Sequence, residues 1–415
     1  MNTKKFLFAD LHLHSKYSQA CSKDLDFPNL VKWARIKGLD LLGSGDFTHP
    51  LWLKEIKKLK ENKGIYYYID DKGEFPFLLS SEISLVYSKN NRVKKIHLLY
   101  FSPSVEVVEK INSWLDEKGK RDYDGRPIFG ISCRDFVAKM EEIDSRIEVI
   151  PAHAWTPWFG IFGSEGGFDS LKEAFEDKTY LIHAIETGIS SDPEMNWRIK
   201  ELDDRAIVSF SDSHSYWPWR LGREATIFNL DNGELSYESI INQIREKKFF
   251  GTIEVDPAYG KYHFDGHAKC NFSCTPEETK KINGICPVCK NRLTIGVDYR
   301  VNEISKLGLA NHRNKKFYYK ILPLHELISL TLGVGINTKK CWDIYNNLIN
   351  NFSNELNVLL NVEENDLKSF LKNDLLAEVI IKNRKGEIKV IPGYDGVYGK
   401  AILPNIKIEK QKKLF

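Results

Sequence analysis

At 415 residues the chain exceeds the usual size of a single hydrophobic core, so one large domain with one or two smaller ones is expected. Lys and Arg total 60 against 57 Asp and Glu, a net charge of +3, which excludes global charge as an argument for nucleic acid and requires local basic patches instead. No apolar run approaches about 18 residues, and "MNTKKFLFADLHLHS" lacks the apolar region and cleavage site of a secretory signal, so neither a membrane partner nor export is read and a cytoplasmic location is expected.

From the start to about residue 250, strand-like runs alternate with amphipathic ones. "FLFADLHLH", "LDLLGSGD", "PFLLSSEIS", "KKIHLLYF", "IEVIPAH", "YLIHAIETG" and "AIVSFSDSH" read as strands. Between them, "FPNLVKWARIKG", "LWLKEIKKLKEN", "RDFVAKMEEI" and "PEMNWRIKELDD" carry apolar residues at helical spacing. Such alternation predicts parallel βαβ units, and seven of them suit a barrel. Most of these strands finish in a group able to bind metal or move a proton: His12 and His14, Asp46, Glu82, His153, Glu186, then Asp212 and His214, with His97 inside its own strand. In parallel α/β barrels the C-terminal strand ends meet on one face, so these residues are expected to converge. Within the first run, Asp10, His12 and His14 alternate so as to share one strand face. Imidazoles and carboxylates together suit divalent metals, and the number of groups predicts two or three ions (Zn, Mn or Mg).

Cys21, Cys133 and Cys341 are isolated, whereas Cys270, Cys274, Cys286 and Cys289 cluster. Two paired thiols in a reducing compartment predict one tetrahedral structural Zn. The chain is thus expected to divide into a metal-dependent catalytic barrel (1–260), a four-cysteine zinc-binding domain (261–303) and a mainly helical domain (304–415). The last is read as helical through "CWDIYNNLINNFSNELNVLL" and as β-like over "AEVIIKNRKGEIKVIPGYDGVYGKAIL", with "RKGE" as a hairpin turn.

Basic and aromatic residues beside the thiols, among them Arg300, Arg313 and Lys316, could neutralise phosphates and stack on bases, or form a solvated face. Trp155, Trp158, Trp217 and Trp219 follow proposed ligands directly and could hold an extruded base or cap a core. In "ETGISSDPEMNWR", Ser190, Ser191, Asn196 and Arg198 could meet phosphate or a base edge, while Asp192 and Pro193 also fit an ordinary helix N-cap and first turn.

"DLHLHS", "GSGD", "SSEIS", "PAH" and "SDSH", in this order, resemble the polymerase and histidinol phosphatase (PHP) superfamily. That resemblance implies a distorted seven-stranded (β/α) barrel, phosphate-ester hydrolysis, and His12, His14, Glu82, His97, His153, Asp212 and His214 as ligands with Glu82 as bridge. Asp46 joins them by position, although Phe47 follows where the superfamily often has His, and no His in "KYSQACS" answers a further family ligand. The longer strings "IPAHAWTPWFGIFGSEGGFDS", "AIETGISSDPEMNWR", "LGREAT" and "PGYDGVYGK", with the four Cys, are similar to the endonuclease Q family over nearly the whole chain. What this implies is a DNA repair endonuclease that nicks double- or single-stranded DNA 5′ to hypoxanthine, uracil, xanthine and abasic sites, with Glu82, Asp212 and His214 as the catalytic groups. The competing reading is a phosphomonoesterase of the same superfamily acting on a small metabolite. The tail "EKQKKLF" resembles the beginning of a sliding-clamp-binding peptide.

Overall fold

The computed structural model describes residues 6–230, 234–308, 315–371 and 373–403. In chain order the strands are β1 (Phe6–Asp10), β2 (Leu41–Gly43), β3 (Lys60–Asn62), β4 (Ile65–Asp70), β5 (Gly73–Leu78), β6 (Ser80–Lys89), β7 (Arg92–Phe101), β8 (Ile128–Phe129), β9 (Glu148–Pro151), β10 (Ala184–Glu186), β11 (Ala206–Val208), β12 (Ala225–Asn229) and β13 (Gly251–Glu254). Five more follow: β14 (Asp265–His267), β15 (Phe272–Cys274), β16 (Phe317–Lys320), β17 (Lys389–Ile391) and β18 (Lys400–Ile402).

The architecture is mixed α/β. An eight-stranded sheet runs in the order β16-β13-β12-β1-β2-β5-β4-β3, a four-stranded sheet in the order β8-β6-β7-β9, and β10 pairs with β11. Among the described residues these ladders do not close into one ring, and they are not all parallel as the alternating pattern predicts. Pairs β1–β2 and β2–β5 are parallel, whereas β4–β5, β6–β7 and β1–β12 are antiparallel. Local turns explain part of the difference: Asn90 and Asn91, with φ of 51° and 58°, make the two-residue hairpin that folds β7 back on β6. Leu7 and Ala9 of β1, Leu41 of β2, Leu99 of β7, Ile150 of β9, Ala184 of β10 and Val208 of β11 nevertheless meet in one core, joined by Ile240 and Ile241 of the helix Tyr237–Arg245. The strand ends that carry the polar groups are therefore brought to one place.

The helix Phe27–Lys37 begins at Asp26, whose side chain accepts from Asn29 N–H, and ends at Gly38 in the left-handed region with φ 96°. It packs against a helical region made of Leu324–Leu332, Lys339–Phe352, Glu355–Leu360, Glu364–Leu371 and Asp374–Arg384. The β-like reading of "AEVIIKNRKGE" is corrected: Asn373 caps a helix whose Leu376, Ala377, Val379 and Ile380 are buried, so packing overrides the preference of β-branched residues for strands. The hairpin lies further on, between β17 and β18. No helix among the described residues is long and apolar enough to cross a membrane.

A buried polar network joins this region to the sheets. Lys37 Nζ lies 2.7 Å from both Glu355 Oε1 and the Pro218 carbonyl, and Glu355 also accepts from Leu324 N–H and Tyr345 hydroxyl. Beside it, His325 is fully buried against Trp219, Trp342 and Tyr345, and neither ring nitrogen has a partner among the described residues. Burial, reinforced by nearby Lys37, depresses its pKa to about 3. The unfolded chain takes up this proton near pH 6.5 and the fold does not, so the stability that neutral His325 contributes is intact above pH 6.5 and is lost as pH falls toward 3. Denaturant unfolding should show a loss of about 1.4 kcal/mol from this residue at pH 5.5 relative to pH 7.5, absent from His325→Phe; equal losses in both proteins would contradict it.

Candidate metal centre

Glycines in "GSGD" let the second strand end lie directly on the first. A Cβ on Gly43 would stand 2.2 Å from the Leu11 carbonyl and one on Gly45 2.6 Å from that of Leu13, and Gly45 has φ +63°. This contact sets Asp46 beside His14. Asp10 points elsewhere: it accepts from Ser211 and Gly222 N–H, tying the "SDSH" segment to β1, and burial raises its pKa to about 6. Asp46, His153 and Asp212 hold φ of 44°, 30° and 48°, a conformation that non-glycine residues adopt only where their surroundings enforce it.

Two groups of ligand atoms result, and they share Glu82. One comprises His12, His14, Glu82 and Asp212; the other Glu82, His97 and His153. The two carboxylate oxygens of fully buried Glu82 face different groups. Oε1 is 2.9 Å from His97 Nδ1 and 3.0 Å from His153 Nε2, while Oε2 is 3.3 Å from His14 Nε2 and 3.6 Å from His12 Nε2. Asp212 Oδ1 closes the first group, 3.0 Å from His14 Nε2 and 3.6 Å from His12 Nε2.

Outer partners fix the tautomers. His12 Nδ1 donates to Glu186 at 2.9 Å and His14 Nδ1 to Asp46 at 3.0 Å, which leaves both Nε2 lone pairs directed inward. Thr156 does the same for His153, at 2.9 Å from its Nδ1. Asp46 is thereby corrected from ligand to orienting group: it accepts from Ser15 N–H, the Ser15 and Ser18 hydroxyls and His14, and none of its bonds reaches the other ligands. Glu186, read only as a strand ending, is the matching support for His12 and also accepts from His153 N–H at 2.7 Å. His214 stands at the edge, one-third exposed, its ring 4.4 Å from that of His14 and its Nδ1 donating to the Asp212 carbonyl at 3.0 Å. It is close to the group without belonging to it.

The residues fit divalent cations. His12 Nε2 is buried without a hydrogen-bond partner among the described residues and directed at two carboxylates. Electrostatics agree: burial opposes charge on His12 and His14, yet the carboxylates around them raise both pKa values well above 6.5. Burial likewise works against the charge on Glu82, but His97, Arg126 and His12 hold its carboxyl well below the usual range. The cluster attracts positive charge wherever charge can be supplied.

Sequence reasoning missed Arg126. Its guanidinium reaches Glu82 Oε2 at 3.0 Å from a loop after the helix Val105–Asp116. A single Arg in "DYDGRPIFG" has no spacing pattern that could have marked it.

The remaining candidates separate. Trp155 is buried, donating to Asn196 Oδ1, and Trp219 and Trp217 stack on each other and pack on Trp342, so these three cap cores. Trp158 is exposed, and the ring of its neighbour Phe159 lies 4.3 Å from that of His97, tilted by 32°. Ser190 and Ser191 hydroxyls donate to the Thr187 carbonyl and Asn196 to that of Asp192, while Asp192 caps the helix Pro193–Asn196. Arg198 is exposed and meets Asn302. Arg300 clasps the carbonyls of Phe162 and Phe168 at 3.0 and 3.1 Å. Lys316 is half-buried over Phe249; Arg313 and the tail lie outside the described residues.

The thiol cluster differs from a set of four cysteines. His267, Cys270, Cys286 and Cys289 group their ligand atoms, with His267 Nδ1 3.4 Å from Cys289 Sγ. Cys274 Sγ is buried and lies 3.2 Å from Thr279 Oγ1 instead, because β15 alternates and turns this residue under the helix Pro276–Lys281. Burial and neighbouring thiols push the Cys270 pKa to about 11, a crowding that a shared cation relieves.

Known proteins resemble the chain over different lengths. Residues 323–387 match a family model described as the MJ0043 C-terminal domain. An uncharacterized protein MJ0043 of Methanocaldococcus jannaschii is 35% identical over 298 residues, 70% of this chain, which spans only 36% of that curated relative. The lesion-specific endonuclease PfuEndoQ of Pyrococcus furiosus superimposes with a TM-score of 0.84 at 30% identity, covering 99% of this chain and 98% of the other. The chain belongs to the endonuclease Q family. A second endonuclease Q structure, a complex with a 27-mer duplex bearing an abasic lesion at the active site, gives a TM-score of 0.85 at 29% identity and covers 99% of both chains.

For this endonuclease Q relative, metal content distinguishes the two possible fourth ligands. His267→Ala should lower bound zinc from one per chain, read by elemental analysis, whereas Cys274→Ser should retain it; the reverse pattern would restore the set of four cysteines.

Proposed function

We propose that this chain is a metal-dependent endodeoxyribonuclease that hydrolyses the phosphodiester bond 5′ to deaminated bases (hypoxanthine, uracil and xanthine) and to abasic sites. The observation that carries it is Glu82, one buried carboxylate whose two oxygens face two separate groups of imidazoles, inside a chain that aligns end to end with lesion-specific endonuclease Q. Two divalent ions are assigned to the paired groups and one zinc to the thiol cluster; DNA is the assigned substrate.

His12, His14 and Asp212 would hold one ion, His97 and His153 the other, with Glu82 common to both. Bound there, such ions supply an activated water nucleophile and stabilise the departing 3′-oxygen. The chain's own residues do the rest. Glu186, Asp46 and Thr156 keep three imidazoles in the tautomer that offers Nε2. His214 Nδ1 bears the proton donated to a carbonyl, so its Nε2 lone pair at the mouth can receive a proton from the attacking water. Exposed Trp158, next in sequence to the Phe159 whose ring lies 4.3 Å from that of His97, is the aromatic assigned to the DNA-facing rim.

Purified protein with Mn²⁺ or Mg²⁺ should nick duplexes carrying one hypoxanthine, one uracil or one abasic site, and leave undamaged duplex and a generic phosphate monoester intact. Glu82→Ala and Asp212→Ala should each lower nicking by at least about 10³-fold while DNA binding persists. Cleavage of the monoester without nicking would overturn the assignment in favour of a phosphomonoesterase.

A further inference from the structure

Arg126 is placed by a loop held on both sides of its Gly125. Asp124 is nearly buried, and its Oδ1 accepts from Arg126 N–H at 3.0 Å and from Gln19 N–H at 3.3 Å. Gly125 then lies flat on the site: a Cβ there would stand 2.2 Å from Asp46 Oδ2 and 2.3 Å from Ser18 Oγ, and its own carbonyl accepts from Thr48 Oγ1. The loop thus rests on the acid that orients His14 and delivers the next side chain onto the shared carboxylate.

A guanidinium offers five N–H donors in a planar fork, and here one nitrogen engages Glu82 Oε2 at 3.0 Å. Among the described residues no other protein acceptor takes the rest, and a quarter of the side chain remains exposed, as does that of Asp212, beside the buried imidazoles and Glu82. If the arginine served only to neutralise Glu82, the ions assigned to that carboxylate would make it superfluous. Its presence leaves a fixed, partly exposed positive charge at the mouth, which calls for an anion with more than one oxygen.

We propose that Arg126 is a catalytic residue that grips the non-bridging oxygens of the scissile phosphate and of the 5′-phosphate formed from it. This rests on the nuclease reading above. The grip strengthens as negative charge grows on the phosphorus oxygens during attack, so it favours the transition state over the bound substrate. Gly125 serves as a positioning residue, because any side chain there forces the loop off Asp46.

The test uses Mn²⁺-loaded protein and abasic duplexes, either intact or already nicked with a 5′-phosphate or a 5′-hydroxyl. Wild type should bind the 5′-phosphate nick at least about 10-fold more tightly than the 5′-hydroxyl nick. Arg126→Ala should lose most of that preference and cut intact substrate about 10²-fold more slowly, with metal content and thermal midpoint unchanged. Arg126→Lys should keep part of both, and free guanidinium should partly restore the Ala variant, a response that a merely structural role would not give. Wild-type cutting by Arg126→Ala, an unchanged preference for the 5′-phosphate, or a slower rate that follows lost metal would each overturn the proposal. Failure of wild type to nick damaged DNA would strike the nuclease reading itself, whereas those three results strike only the role of Arg126.

Discussion

A carboxylate withdrawn from water costs several kcal/mol unless positive partners surround it. Glu82 is such a group, fully buried on β6 with His97 from the antiparallel neighbour β7, His153 just past β9, His12 and His14 just past β1, and Arg126 from a loop. The surrounding architecture follows from satisfying it. Antiparallel pairing of β6 with β7 sets Glu82 near His97, and pairing of β7 with β9 brings up the "PAH" segment. Parallel pairing of β1 with β2, and the bridge from Leu13 to Ser213, bring the first motif and the "SDSH" segment to the opposite side of the same carboxylate.

Support for this arrangement extends outward in layers. Asp46 and Glu186 turn His14 and His12 so that one nitrogen of each faces inward, and Asp10 anchors the segment that carries Asp212. Left-handed backbone at Asp46, His153 and Asp212 is strain that these bonds sustain. Further away, the buried Lys37–Glu355 pair and the Trp217–Trp219 stack fasten the helical region behind the "SDSH" segment, so the region matched to the MJ0043 C-terminal domain is packed onto the back of the centre.

Most of the inward imidazoles and carboxylates were legible in the sequence because they stand at or near the end of an apolar run, and strand ends converge; His97 stands inside its strand. What was not legible depended on the direction of a side chain. Asp46 looks like a ligand by position, but the glycines before it press its strand end against Leu13 and aim the carboxylate at the outer nitrogen of His14. Cys274 looks like one half of a thiol pair, yet strand alternation buries it while His267, seven residues earlier in sequence, faces the other sulfurs. The helix over Asp374–Arg384 was hidden by its Val and Ile residues, whose burial against neighbouring helices outweighs local preference. Sequence alternation likewise predicted parallel connections where the Asn90–Asn91 turn makes a hairpin. Arg126 carried no signal at all, since its role arises from Gly125 lying on Asp46.

The proposed chemistry turns on one carboxylate serving two ions. Anomalous diffraction from crystals grown with Mn²⁺ tests this directly. The predicted result is two peaks on opposite sides of Glu82, one among His12, His14 and Asp212 and one beside His97 and His153, both lost in Glu82→Ala. A single peak, or two peaks that survive the loss of Glu82, would contradict it.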